Sequence, residues 1–240
     1  MDTDTSRESW SGSGSKIPRT GLNAAASRVA LMVLVGALVV DVTLQVAEVL
    51  LYGAGQLDGA GNFLALWDLA KAALTTAALL FAAHRFRSKI FASFAIVYFA
   101  VAAEDQLDLH QRIAGRVTSL VRSVLSAGGW IPAHSEALGQ LLFLTAFAAA
   151  GFVFIWVWRP AAGSTEHRAR LVLTALLVTL YVFAGVVDFV GSVVPDRRWP
   201  IIEESGERLT MTLSMAYAAG LAFVSLRKRA PGEGSSESFL

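Results

Sequence analysis

The chain has 240 residues, of which 55% are hydrophobic and only 16% are charged, and its mean hydropathy is +0.54. Soluble domains usually contain about a quarter of charged residues, so this composition excludes an ordinary soluble domain and indicates a membrane protein. The net charge of +1 indicates no class of partner, and the absence of cysteine excludes disulfides, thiolate metal ligands and a cysteine nucleophile.

Six apolar blocks lie between two polar tails. The first 26 residues are rich in Ser, Gly, Thr and Asp and predict a disordered tail, as do residues 230–240. Each block is close to the roughly 20 residues that a helix needs to cross a bilayer. The expected fold is therefore all-α, with residues 27–229 forming an integral membrane bundle of about six transmembrane helices. The predicted spans are 29–52, 62–83, 90–109, 136–158, 170–194 and 201–226.

The longest connection, residues 110–135, contains one further predicted helix. Ile113, Val117 and Leu120 follow helical spacing, while Arg112 and Arg116 lie on another face. This pattern is typical of a short amphipathic helix in the membrane interface, and a helix that simply caps the bundle is the alternative.

The basic residues predict the orientation of the spans. Residues 1–28, 84–89, 159–170 and 227–229 hold thirteen Lys and Arg, while the opposite side holds six. Because cytoplasmic connections carry the excess of basic residues, both termini are expected to be cytoplasmic. Trp67, Trp130 and Trp199 fall near outer boundaries, as an aromatic belt would. Sixteen Arg against four Lys, with abundant Ala and Gly, indicate a GC-rich bacterial genome and hence a bacterial cell (inner) membrane.

The acidic residues of the spans are concentrated on the predicted outer side. Charged side chains inside a span are costly and mark functional positions, so their depth is informative. Twelve acidic residues lie in the outer half against seven basic ones, apart from Asp41, which lies near the middle. All six spans contribute, and the faces of spans 1, 3 and 6 are expected to converge on one polar cavity that opens outward.

One interpretation of this cluster is a metal site. Carboxylates with an imidazole suit a divalent metal ion, and helix bundles build such sites from facing helices. The spacing does not identify the metal. The expected ligands are Glu104, Asp105, Asp108, His110, Glu203, Glu204 and Glu207. The residues expected to support them or to bind a ligand are Asp41, Glu48, Asp68, Asp188 and Arg208.

Three functions remain open for the cluster. A bound metal or cationic ligand would allow hydrolysis of a membrane lipid if a metal activates water. A cation- or proton-coupled transporter would use Asp41 and Glu48 as a relay. A structural ion-pair network is the third, since Asp68 and Lys71 are spaced i, i+3 and Arg208 can neutralise acids. No nucleic-acid motif is present, and the sequence indicates no oligomeric state.

Two short motifs carry a resemblance. The third span ends in Glu104-Asp105-x-x-x-x-His110-Gln111, and the sixth begins with Glu203-Glu204-x-x-Glu207. Together they resemble a group of uncharacterised bacterial multi-pass membrane proteins, in which Asp-Glu stands at 104–105 and Glu at 111. The resemblance covers about fifteen residues. It implies a shared site and no particular activity, and Gln111 departs from the ligand expected at that position.

Overall fold

The computed structural model describes residues 19–52, 63–107, 109–127, 134–194 and 198–227. These residues form eight α-helices, with a π-helical turn, Val182–Val187, between α6 and α7. The helices are α1 (Arg19–Tyr52), α2 (Phe63–Phe86), α3 (Lys89–Leu107), α4 (Leu109–Ala127), α5 (Ser135–Trp156), α6 (Thr165–Tyr181), α7 (Asp188–Val193) and α8 (Arg198–Arg227).

Six helical segments are long and apolar enough to cross a membrane, which confirms a multi-pass, all-α membrane protein. The fifth segment, Thr165–Val193, consists of α6, the π-helical turn and α7. The largest difference between the predicted and observed helix boundaries is at the start of the chain. Helix α1 begins at Arg19, inside the predicted disordered tail. Residues 1–18 and 228–240 lie outside the described residues.

The amphipathic helix expected in residues 110–135 is present as α4. It packs against α5, and Thr118 of α4 donates a hydrogen bond to the carbonyl of Ser135, which begins α5. The Arg122 Nε also donates to the Ser135 Oγ over 2.8 Å. These contacts join α4 to the bundle, and its position relative to a membrane surface stays a prediction.

Helix α8 is the central element of the bundle. It packs against α1, α2, α6 and the π-helical turn. Gly206 allows one of these approaches, because a Cβ there would overlap the ring of Phe183 in the π-helical turn. Gly191 of α7 has a similar role, since its Cβ would come within 2.9 Å of Trp199.

The bundle has two chemically different ends. At the end where α2 turns into α3, the buried core is apolar and contains Leu79, Phe91, Phe94 and Leu173. Arg87 adopts a positive φ of 50° in this turn, which lets α3 reverse direction beside α2. At the other end, where α3 finishes and α8 starts, the buried side chains include charged ones. We call this second end the charged end.

Candidate functional site

Lys71 of α2 occupies the centre of the charged end. Its side chain has no solvent-exposed surface, and the Nζ lies 2.8 Å from the Asp41 Oδ1 and 2.7 Å from the Asp68 Oδ1. A buried ammonium is costly unless it is paired and hydrogen-bonded, and these two carboxylates provide that pairing. The pairing of Asp68 with Lys71 expected from their spacing is confirmed.

Asp41 of α1 is buried and joins three helices. Besides Lys71, its Oδ1 accepts a hydrogen bond of 2.8 Å from the Trp67 indole N–H. Its Oδ2 accepts a hydrogen bond of 2.7 Å from the Thr212 hydroxyl of α8. Each oxygen of the carboxylate therefore has a donor, as a charge buried among spanning helices requires.

Arg208 of α8 extends this arrangement. Its Nε lies 3.3 Å from the Asp68 Oδ2, and its Nη1 lies 3.0 Å from the Glu204 Oε2. The result is an alternating series of charges, Asp41–Lys71–Asp68–Arg208–Glu204, which we call the ion-pair chain. It contains three carboxylates and two cations, and it connects α1, α2 and α8.

A second set of carboxylates lies beside the ion-pair chain. Glu203, Asp105 and Asp188 lie close enough to Glu207 to act on it electrostatically, as does Asp68 of the chain. The Glu207 side chain is partly buried and makes no hydrogen bond or ion pair with the side chains that the structure describes. We call Glu207, Glu203, Asp105 and Asp188 the acid group.

The π-helical turn helps to position the acid group. A π turn holds more residues than an α turn, so it changes the face on which all later residues of the span lie. Asp188 follows this turn directly. Phe183, within the turn, packs on Gly206, one residue before Glu207. The contact between Phe183 and Gly206 thus holds the turn, and with it the start of α7, beside the start of α8.

The predicted site residues divide into three sets. Asp41, Asp68, Arg208 and Glu204 meet in the ion-pair chain, so Glu204, expected as a metal ligand, pairs with an arginine. Asp105, Asp188, Glu203 and Glu207 form the acid group. Glu104 is buried in the wall of a cavity between α3, α5 and the fifth span.

The metal site itself stays a prediction. Asp108 lies outside the described residues, as do the side chains of Glu48 and His110. Among the side chains that are described, no three His, Asp or Glu are grouped as they would be around a metal ion. The ion-pair chain joins spans 1, 2 and 6, and Asp105 of span 3 acts electrostatically on Glu207 of span 6, so the expected convergence of spans 1, 3 and 6 on one cavity stays a prediction.

Two residues of the ion-pair chain's surroundings were not expected from the sequence. Trp67 was assigned to an aromatic belt, yet its indole N–H binds Asp41. Thr212 carried no signal at all, because one threonine in an apolar helix is common and nothing local relates it to a residue 171 positions earlier. The one general argument for such a partner is that both oxygens of a buried carboxylate need hydrogen-bond donors, and this argument does not say which residue donates.

A comparison of the chain with protein families, curated proteins and solved structures finds no match. The charged end is therefore the basis on which function is inferred.

Proposed function

We propose that this membrane protein binds a cation at the acid group of its charged end. The observation that supports the proposal is the electrostatic environment of Glu207, on which Glu203, Asp105, Asp188 and Asp68 all act with the same sign of charge. The two cations of the ion-pair chain contact other carboxylates, Lys71 those of Asp41 and Asp68, and Arg208 those of Asp68 and Glu204.

The physical reason is electrostatic. Like charges that act on one another disfavour each other's ionised form, and the effect grows where water is scarce. A cation bound at Glu207 would offset this repulsion through a charge-assisted contact, and it does not require that all four carboxylates coordinate it, since no three of these described side chains are grouped as around a metal ion. The adjacent ion-pair chain would fix α8, which carries Glu203 and Glu207, against α1 and α2.

The proposal is tested by titrating the purified full-length protein with calcium, magnesium, manganese, zinc and methylammonium in a calorimeter. We expect saturable binding of at least one of these cations. Glu207→Gln should weaken it at least tenfold. Glu166→Gln is the matched control, because Glu166 begins α6 far from the acid group in sequence and at the opposite end of its span. If the parent protein binds none of these cations, the proposal is wrong and the charged end has a structural role.

A metal-dependent hydrolase is the finer form of this proposal. It requires that the cation is a metal ion with an open position for water, and that a spare carboxylate acts as general base. Elemental analysis of protein purified without chelators should then show a stoichiometric metal, and the loss of that metal in Glu207→Gln. Only if a metal is found is hydrolysis of membrane lipids worth assaying.

The buried Asp41–Lys71 pair favours a second candidate, cation- or proton-coupled transport. Charged pairs deep in spanning helices mark ion and proton pathways. Asp41→Asn keeps Lys71 paired with Asp68, so this variant should fold. If the chain transports, ion-driven uptake into proteoliposomes should fall at least tenfold in Asp41→Asn. An unchanged flux, or no flux in the parent protein, would contradict transport through this pair.

A further inference from the structure

Two cations at the apolar end of the bundle lie on tryptophan rings. The Lys89 Nζ, at the start of α3, lies 4.6 Å from the centre of the Trp158 ring. The guanidinium carbon of Arg170, in α6, lies 5.0 Å from the centre of the Trp156 ring, and its Nη1 donates a hydrogen bond of 3.5 Å to the carbonyl of Trp158. Both cations therefore meet at the C-terminal end of α5, and we call these four residues the cation–indole cluster.

Both cations of the cluster lack a carboxylate partner within the part of the chain that the structure describes. Glu166 lies in the first turn of α6, one turn before Arg170, and no ion pair joins these two described residues. Residues 84–89 and 159–170 together contain six Lys and Arg against this one acid. The cluster therefore has an excess of positive charge that the described protein does not neutralise.

The cluster lies at the level where three spans leave the hydrocarbon. The fourth predicted span ends at residue 158, and the third and fifth begin at residues 90 and 170. Trp156 is 58% exposed, and Val153, three residues earlier on the same face of α5, is 66% exposed. In a membrane such an apolar surface contacts lipid, and an indole suits the boundary because it has an apolar body and one polar N–H. The cluster therefore adjoins both lipid tails and lipid head groups.

We infer that the cation–indole cluster binds the phosphate group of an anionic phospholipid. Lys89 and Arg170 donate hydrogen bonds to the phosphate oxygens, and the acyl chains lie along the exposed apolar face of α5 that contains Val153. The cluster is at the opposite end of the bundle from the acid group. This inference therefore does not rest on the proposed function.

Charge and position together select this ligand. An ammonium and a guanidinium offer several N–H donors and no acceptor, so they attract an anion. Phosphate oxygens accept charge-assisted hydrogen bonds from both groups, and the planar guanidinium can bind two of them at once. Phosphatidylcholine carries its own cation, which Lys89 and Arg170 repel. A water-soluble phosphate has no acyl chains to contact the exposed face of α5, so the membrane is the expected source, as for other basic pockets between helix ends.

The test uses the purified full-length protein in dodecyl maltoside micelles with an equimolar mixture of dioleoyl phosphatidylglycerol, dioleoyl phosphatidylcholine and oleate. Native mass spectrometry counts the lipid molecules that stay bound to the protein. We expect phosphatidylglycerol to bind about tenfold more tightly than phosphatidylcholine or oleate. Glycerol 3-phosphate, added at the same concentration as the lipid, should not displace it.

Substitutions distinguish a defined site from a general attraction to positive charge. Lys89→Met and Arg170→Gln, made separately, should each weaken phosphatidylglycerol binding about tenfold, because each removes hydrogen bonds to a charged group. Arg85→Gln is the matched control. It removes the same charge at the same end, but the Arg85 guanidinium lies over the ring of Phe81 in its own helix, α2, and its loss should change binding less than about twofold. Thermal unfolding of each variant establishes that it is folded.

Four results would overturn the inference. If phosphatidylcholine binds as tightly as phosphatidylglycerol, this surface holds lipid without regard to charge, and if oleate does, the cluster does not recognise phosphate. If all three substitutions weaken binding equally, only the overall positive charge attracts the lipid. If glycerol 3-phosphate displaces the lipid, the cluster binds a soluble phosphate. Glu207→Gln should leave phosphatidylglycerol binding unchanged, so these results are independent of cation binding at the acid group.

Discussion

Single side chains at the charged end have unequal roles. Lys71 pairs with two carboxylates on different helices, whereas Lys89 at the apolar end is exposed and lies over the ring of Trp158. Removing one partner of a buried ion pair strands the other charge, while removing an exposed one changes little. The two lysines therefore form a matched comparison.

Lys71→Met should lower the free energy of unfolding by about 3–5 kcal/mol, because Asp41 and Asp68 lose their shared cation. Lys89→Met should cost less than about 1 kcal/mol, the size of an exposed cation–π contact. Both are measured by denaturant unfolding of the purified protein in micelles. If both substitutions lower the free energy of unfolding equally, the buried ion-pair chain stabilises the protein no more than an exposed cation–π contact does.

Thr212 permits a second test at this scale. Thr212→Val keeps the shape of the side chain and removes the donor to the Asp41 Oδ2, so we expect a loss of about 1–3 kcal/mol. Thr179→Val is the control, because the Thr179 hydroxyl is exposed and bonds only the carbonyl of Ala175 in its own helix. The same unfolding assay applies, and a loss no larger than that of the control would contradict the role given to Thr212.

At the scale of elements, the contact between α8 and the π-helical turn depends on Gly206. A Cβ at Gly206 would overlap the Phe183 ring, whereas a Cβ at Gly36 in α1 would meet nothing within 4 Å. The two glycines are both helical and differ mainly in what faces them. The contact matters because it sets the position of Asp188 beside the start of α8.

Gly206→Ala should destabilise the protein by about 1–3 kcal/mol through overpacking. Gly36→Ala should be neutral or stabilise it by up to about 1 kcal/mol, since alanine is the better helix former. Phe183→Leu should reduce the cost of Gly206→Ala when both are combined, and a double-mutant cycle measures that coupling. Strict additivity of the two substitutions would mean that the ring and the glycine do not constrain each other.

The elements could be predicted from the sequence more fully than the site. The hydropathy and length of the apolar blocks identify six spans, because a backbone in lipid must satisfy its own hydrogen bonds and therefore forms helices or a closed barrel. Local spacing identifies the Asp68–Lys71 and Glu204–Arg208 pairs, since residues three or four apart share a helix face. Which helices meet is a matter of packing between distant segments. The partners of Asp41, the π-helical turn and the cavity beside Glu104 therefore have no local signal.

On the scale of the whole molecule, the apolar core and the buried charged side chains occupy opposite ends of the described bundle. The excess of basic residues predicts that the apolar end, with the α2–α3 turn, faces the cytoplasm, and that the charged end faces outward. The absence of cysteine makes this easy to examine, because an introduced cysteine is the sole thiol of the chain.

Ser123→Cys, at an exposed position of α4, should react with a membrane-impermeant maleimide on intact cells. Ser164→Cys, in the connection between α5 and α6, should react only after the membrane is permeabilised. The fraction of each variant that reacts with the maleimide is measured as a shift in mobility on a gel. The reverse pattern would place the termini and the apolar end outside, and the acid group inside.

The ion-pair chain also has a consequence for biogenesis. Asp41 enters the membrane with the first helix, and Lys71 follows 30 residues later, but Thr212 is 171 residues away. At about 5–20 residues per second of synthesis, the second carboxylate oxygen waits on the order of 10–30 s for its donor. Asp68 likewise waits for Arg208. A nascent chain that stops before α8 therefore holds Asp41 in the bilayer without the Thr212 donor, and Asp68 without Arg208.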